Sequence, residues 1–253
     1  MGLGDELMAL GRAQRVFDET GRKVAILDRA GKPRWHPLWD GAPEVAAPED
    51  IVAVGGLGDD LPFETIHDGG GCRPYIDYAR TTAERWAFKG YRPCPARLAW
   101  LQPNEICAGH VVIEPTVKAQ ASPNKHWPDW QEMVDAAPHV PWLQIGPRGT
   151  SWLDGVTHLE TKTFRDAVNA LAGAAVAVLP EGGLHHAAAA VGTPAVVLYG
   201  AFILPRVTGY DGQTALAVED ADAVGWRVSN KACRKAWKQI TPARVLTELE
   251  RLA

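Results

Sequence analysis

Three short stretches of this 253-residue sequence hold side chains suited to chemistry, each beside a glycine or at the mouth of a helix. The first is Gly2-Leu3-Gly4-Asp5, which runs directly into a helical pattern. Two glycines let the backbone turn tightly against a ligand. The start of a helix offers N–H groups and a positive dipole end. Asp5 is then set where a catalytic carboxylate faces a cleft. The same residues also suit a plain helix start with an acid in its first turn.

The second stretch is Glu114-Pro115-Thr116, then Lys118, then Asn124-Lys125-His126-Trp127-Pro128. A strand ends, the chain loops, and a lysine is presented ahead of a helix expected to begin at Trp127-Pro128. A lysine beside a helix N-terminus suits a diphosphate. A solvated lysine in a polar loop is the alternative. The third is Leu179-Pro180-Glu181-Gly182-Gly183-Leu184-His185-His186, followed by an alanine-rich helix and Gly192-Thr193-Pro194. Gly182 and Gly183 let phosphate oxygens approach backbone N–H groups, unless they form only a strand-to-helix turn. His185 and His186 suggest metal ligands, but adjacent histidines are expected to point apart. No acidic partner is expected at ligand spacing, so no metal is assigned.

The elements that must position these residues follow from periodicity. Leu7, Leu10, Ala13, Val16 and Phe17 share a helical face that Gly21 ends. Strands are expected at Lys23 to Asp28, Ile51 to Val54, Val111 to Pro115, Pro141 to Gly146, Ala175 to Leu179 and Ala195 to Tyr199. Helices are expected at Trp127 to Ala137, Thr163 to Gly173 and Gly183 to Val191. A last helix opens with Thr241 as N-cap and Pro242 in its first turn. Gly31 to Asp50 reads as an ordered loop. Strand alternating with helix means an α/β fold of parallel sheets covered by helices. The second and third stretches then lie where strands hand over to helices, where such sheets bind ligands.

Composition bounds the possibilities. A net charge of −4 excludes binding of polyanions by bulk electrostatics. Cys72, Cys94, Cys107 and Cys233 form no C-x-x-C pair, so reduced, partly buried thiols are expected. No signal peptide precedes the first motif, and no apolar run reaches the ~20 residues of a membrane helix. A soluble, cytoplasmic monomer is expected. Trp35, Trp39, Trp127 and Trp130, beside prolines or charges, are expected to be half-buried rings lining surfaces.

In order and spacing the three stretches resemble the family-9 glycosyltransferases, which include the ADP-heptose:lipopolysaccharide heptosyltransferases. Gly4-Asp5, Lys125-His126-Trp127-Pro128 and Glu181 through His186 to Gly192-Thr193-Pro194 carry the resemblance across nearly the whole chain. It implies the GT-B fold, two Rossmann-like lobes facing across a cleft. Residues 1–103 would form a compact acceptor lobe and 104–253 a nucleotide-sugar lobe, the last helix crossing back. It implies Asp5 as general base in an inverting, metal-independent displacement. Lys125, Glu181, Gly182, Gly183, His186, Thr116 and Gly146 would hold the nucleotide-sugar donor, with no further cofactor. Gly4, Arg73, Tyr75 and Arg80 would meet the acceptor. Three departures stand out. The chain is shorter than typical members, the strand before the glycine turn is absent or cut to Met1, and Glu181 replaces the usual aspartate.

Arg73 to Arg97 holds six cations against two acids, interleaved with Tyr75, Tyr78, Trp86, Phe88 and Tyr91. That suits an anionic acceptor, either an acidic or lipopolysaccharide-like saccharide or DNA carrying a hydroxymethylated base. A solvated basic face is the plain alternative. Arg227, Lys231, Arg234, Lys235 and Lys238 form a second basic cluster, assigned to a helix near the hinge. A sugar-nucleotide epimerase and a non-catalytic nucleotide or saccharide binder remain as other classes.

Overall fold

The computed structural model describes residues 2–28, 30–53, 62–67, 75–76, 86–87, 93–117, 123–218 and 231–252. The chain opens with α1 (Leu3–Thr20), ended by Gly21 in the left-handed region at φ 71°, where a side chain would be strained. It continues into β1 (Val24–Leu27), which pairs in parallel with β2 (Glu64–His67). Between them lies α2 (Pro48–Ala53). The strand expected at Ile51 to Val54 is thus a helix over its described residues. Pro48, Glu49 and Asp50 make a helix start that outweighs the β-branched pair after it. Two short antiparallel strands follow, β3 (Tyr75–Ile76) and β4 (Trp86–Ala87).

The second part is built on a parallel sheet whose strands are β5 (Val111–Ile113), β6 (Trp142–Gly146), β7 (Thr157–Glu160), β8 (Val176–Pro180), β9 (Ala195–Tyr199) and β10 (Gln213–Ala217). Their order is β10-β9-β8-β5-β6-β7. The chain starts at β5, winds outward through β6 to β7, then crosses back to β8 and winds the other way. The gap between the carboxyl ends of β5 and β8 is the switch point at which open α/β sheets take ligands. Helices α3 (Trp130–Ala136), α4 (Phe164–Gly173), α5 (Gly183–Val191), α6 (Pro205–Thr208), α7 (Lys231–Ala236) and α8 (Pro242–Glu250) complete the chain.

Alternation along the strands builds two cores. Val112, Leu143, Ile145, Ala177, Leu179, Ala195 and Val197 face one side, with Leu171 of α4 and Ala187 and Ala188 of α5. Val111, Ile113, Trp142, Val176, Val178, Val196 and Leu198 face the other, with Met133 of α3 and Val245 of α8. Burial on both faces explains the near-continuous apolar runs of these strands. The first core also takes in Leu7, Leu10 and Ala13 of α1 and Ile26 of β1. The first helix is therefore packed into the second part of the chain, along α5.

Trp39, Trp127 and Trp130 are fully buried, not half-exposed as expected. Trp39 and Trp127 satisfy their indole N–H groups internally, on the Glu6 and Ile240 carbonyls. Only Trp35 of the four stays half-buried. Helix α3 starts at Trp130, three residues later than expected, and Lys125 sits in a separate 3-10 turn, Pro123–Lys125. The edge strands β2, β7 and β10 escape the sequence pattern because each fully buries at most one residue, Ile66 in β2 and Leu216 in β10.

Candidate active site

The amino end of α5 gathers all three stretches. Gly182, its N-cap, follows β8 directly, at the switch point. Gly4 in the first turn of α1 lies against it so closely that a Cβ on Gly4 would stand 3.0 Å from the Gly183 Cα and 2.7 Å from the His186 ring. A side chain is excluded there by backbone. Two helix amino ends thus converge, and both dipoles favour negative charge between them. Asp5, half-buried at this junction, accepts the Gly2 N–H on Oδ2 at 2.9 Å. On the other side, Lys125 forms an ion pair with Glu181, which is 5% exposed, and its Nζ stands 4.7 Å from the Phe202 ring centre. Glu181, where aspartate was expected from the resemblance, thus reaches back to Lys125 and also takes a long bond from the Thr208 hydroxyl.

His185 and His186 fix this end of the helix. The His185 Nδ1 accepts the Gly182 N–H at 2.9 Å, so its Nε2 carries the proton and donates to the Thr208 carbonyl at 2.9 Å. Burial lowers the pKa of both histidines, that of His186 strongly, so both are neutral. The His186 Nδ1 meets the Tyr210 hydroxyl at 2.8 Å. Contrary to expectation, the two rings lie together, 3.9 Å between centres, and Glu181 joins them within 4.8 Å, a spacing that suits a metal ion. Both His185 nitrogens are already committed to the backbone, so ligation would have to break a bond that shapes the helix start. The Gly182 N–H is likewise committed, which leaves the first-turn N–H groups of Gly183 and Leu184 to face an anion.

The remaining donor-side residues line the carboxyl ends of the neighbouring strands. Thr116 is exposed just beyond β5, its N–H donating to the Glu114 Oε1 at 3.0 Å. Gly146 ends β6 and accepts the Thr161 N–H at 2.8 Å, with the Thr150 side chain filling the space where a Cβ would be. Glu114 was not singled out from the sequence as a titrating group. Burial pushes its carboxyl up from 4.5 to about 7. Below about 4.5 folded and unfolded chains both hold this proton. Between 4.5 and 7 only the folded chain does, so stability falls as pH rises across that window, by about 3 kcal/mol in all. Glu114→Gln keeps an acceptor for Thr116 and removes the titration. Its melting temperature is expected to exceed that of the parent at pH 8, with the difference shrinking at pH 5. An equal difference at both values would exclude Glu114 as the source.

Lys125 is held by a close approach behind it. A Cβ on Gly200, just past β9, would stand 2.1 Å from the Asn124 carbonyl oxygen and 2.1 Å from Trp237. Gly200→Ala is expected to cost about 1–3 kcal/mol of overpacking and to push the Lys125 turn outward. Urea unfolding and nucleoside diphosphate titration should both register it. A normal affinity in a destabilised variant would mean that the turn does not depend on this contact.

The acceptor-side expectations fare differently. Gly4 is at the junction. Arg73 and Arg80 lie outside the described residues, and only the backbone of Tyr75 is described. Arg97, the described cation of that basic run, is a strut. Its guanidinium bridges Asp18 at 2.8 Å and Glu44 at 2.9 Å, and its backbone is bracketed by the Gln14 amide. Of the second cluster, Lys231, Arg234, Lys235 and Lys238 are exposed along α7 and the turn after it, while Arg227 lies outside the described residues. Two residues that the sequence did not flag stand beside the junction instead. The Phe164 ring edge is 3.4 Å from where a Gly183 Cβ would be. Arg165 next to it binds the Asp40 carboxylate at 2.7 Å and the Pro37 carbonyl. Among the described residues, no helix is long and apolar enough to cross a membrane.

No protein-family model matches the sequence, and no curated protein matches it. Solved structures do. TibC of enterotoxigenic E. coli H10407, an iron-containing dodecameric glycosyltransferase, superposes with a TM-score of 0.65 at 19% identity, over 100% of this chain and 74% of that one. E. coli ADP-heptose lps heptosyltransferase II gives 0.60 at 16% identity, over 99% and 96%. E. coli heptosyltransferase WaaC with ADP gives 0.55 at 15%, over 100% and 98%. At these identities the likeness concerns the fold, and along its whole length this chain is structurally similar to the heptosyltransferases of glycosyltransferase family 9.

Proposed function

We propose that the chain is an inverting glycosyltransferase of GT-B architecture, moving a sugar from a nucleoside diphosphate sugar to an acceptor hydroxyl. What supports it above all is the convergence of Asp5, Lys125 and the Gly182–Gly183 turn at one helix end on the switch point of a heptosyltransferase-like fold. Residues 104–253 carry the donor and residues 1–103 the acceptor.

The Asp5 carboxylate takes the acceptor hydroxyl proton as the oxygen bonds to the anomeric carbon. The bond from that carbon to the diphosphate breaks on the opposite face, and the nucleoside diphosphate leaves with the electron pair. Charge on the leaving group is met by Lys125 and by the amino ends of α5 and α1, so the step needs no metal. Thr116 and Gly146 border the nucleotide, and His186 orients the helix end. The acceptor is anionic, a saccharide in preference to hydroxymethylated DNA. The fold neighbours named as heptosyltransferases, one of them recorded with ADP-D-beta-D-heptose, favour a sugar nucleotide of that kind as donor.

Release of nucleoside diphosphate from a pool of nucleotide sugars tests this, with and without lipid-linked saccharides or hydroxymethylated DNA, each acceptor then weighed by mass spectrometry. Acceptor-dependent release with a sugar mass added to a saccharide is expected. Tight nucleotide binding with no release under any condition would instead make the chain a binding module.

A further inference from the structure

We infer that Arg165 is a positioning residue that sets Asp5 at working distance from the diphosphate cradle. This rests on the function proposed above and adds to it a residue outside the three motifs. Arg165 stands in the first turn of α4, next to Phe164, whose ring edge packs on Gly183 at the cradle. From there its guanidinium crosses to the first part of the chain. It donates to the Pro37 carbonyl and to Asp40 Oδ2 at 2.7 Å, and lies over the Trp100 ring at 4.6 Å.

Each of these partners is itself fixed. The other Asp40 oxygen accepts the Trp35 indole N–H at 3.1 Å, and the Trp100 indole N–H donates to the Leu38 carbonyl at 3.1 Å. The loop that carries Pro37 and Asp40 is fastened to the first turn of α1. Trp39 donates to the Glu6 carbonyl at 3.0 Å, and Arg34 pairs with the buried Glu6 carboxylate while lying over the Trp39 ring. Glu6 is the neighbour of Asp5. An unbroken run of contacts thus leads from the cradle through Phe164, Arg165, Asp40 and Trp39 to the base. It is separate from the Gly4–Gly183 contact, so it fixes the orientation of α1 where the glycine contact fixes its approach. A guanidinium suits this task because its Nη2 serves two oxygens while its flat face stacks on an indole.

The test compares Arg165→Met and Arg165→Lys with the parent. Three quantities are read: affinity for ADP, UDP, GDP and CDP, release of nucleoside diphosphate from the same pool of nucleotide sugars, and amide exchange. Misplacement of a catalytic group by about 1 Å lowers turnover by ~10²-fold. A drop approaching that size is expected for Arg165→Met, with nucleotide affinity within about twofold of the parent by the same argument. Arg165→Lys should recover part of the turnover through Asp40. Amide exchange should quicken in residues 4–7 and 35–40 and stay unchanged in α5. Adding Asp40→Asn to Arg165→Met should lower turnover no further. Unchanged turnover in Arg165→Met, or equal losses of affinity and turnover together with faster exchange in α5, overturns the assignment. A parent protein that binds none of the four nucleotides and releases none removes the proposed function itself, and this inference with it.

Discussion

Asp5→Ala is expected to lower acceptor-dependent sugar transfer ~10²–10⁴-fold, the usual contribution of a general base, while nucleoside diphosphate affinity stays near that of the parent. The carboxylate is half-buried at the seam of α1 and α5, and it also accepts the Gly2 N–H. That bond is half of a capping box, so alanine costs about 1 kcal/mol of helix stability as well. Asp5→Asn separates the two effects. Its amide oxygen still accepts from Gly2, so melting should barely change, yet it has no basicity to take a proton. Both variants should be equally inactive, and turnover in Asp5→Asn within a few fold of the parent would remove Asp5 from the chemistry.

Lys125→Met carries two losses of different origin. The diphosphate loses a charge-assisted partner, worth ~10- to 100-fold in affinity. Glu181, 5% exposed, loses the cation that offsets its burial. Removing one member of such a pair costs about 3–5 kcal/mol, because the stranded charge remains in place. The double variant Lys125→Met/Glu181→Gln should therefore regain most of the stability and none of the nucleotide affinity. Urea unfolding measures the first and equilibrium titration the second. Full affinity in the single variant would mean that the lysine serves only Glu181.

The second part of the fold was legible because its strands are buried on both faces. Ala195–Tyr199 and Gly183–Val191 lie where their apolar runs and flanking glycines put them. The same logic fails for Thr157–Glu160, an edge strand with an exposed, polar pattern that takes its structure from pairing with β6. Pairing is a tertiary event that no local window contains. At the site, Asp5, Lys125 and the glycine turn were visible as residue types at strand ends and helix starts. The contact of His185 with His186 was hidden, since it depends on Gly182 and Thr208 holding one ring. Arg165 and Asp40, 125 residues apart, gave no signal in either neighbourhood.

The seam between α1 and α5 bears on whether the two parts of the chain can be exchanged separately. Leu7, Leu10 and Ala13 share a core with Ala187 and Ala188. The amino-terminal portion is therefore no cassette that can be grafted from a relative, because a transplanted α1 would arrive without its matching groove. Leu38 and Trp39 are buried in the same core, so the loop around residues 35–40 would have to travel with both helices for the joint to close.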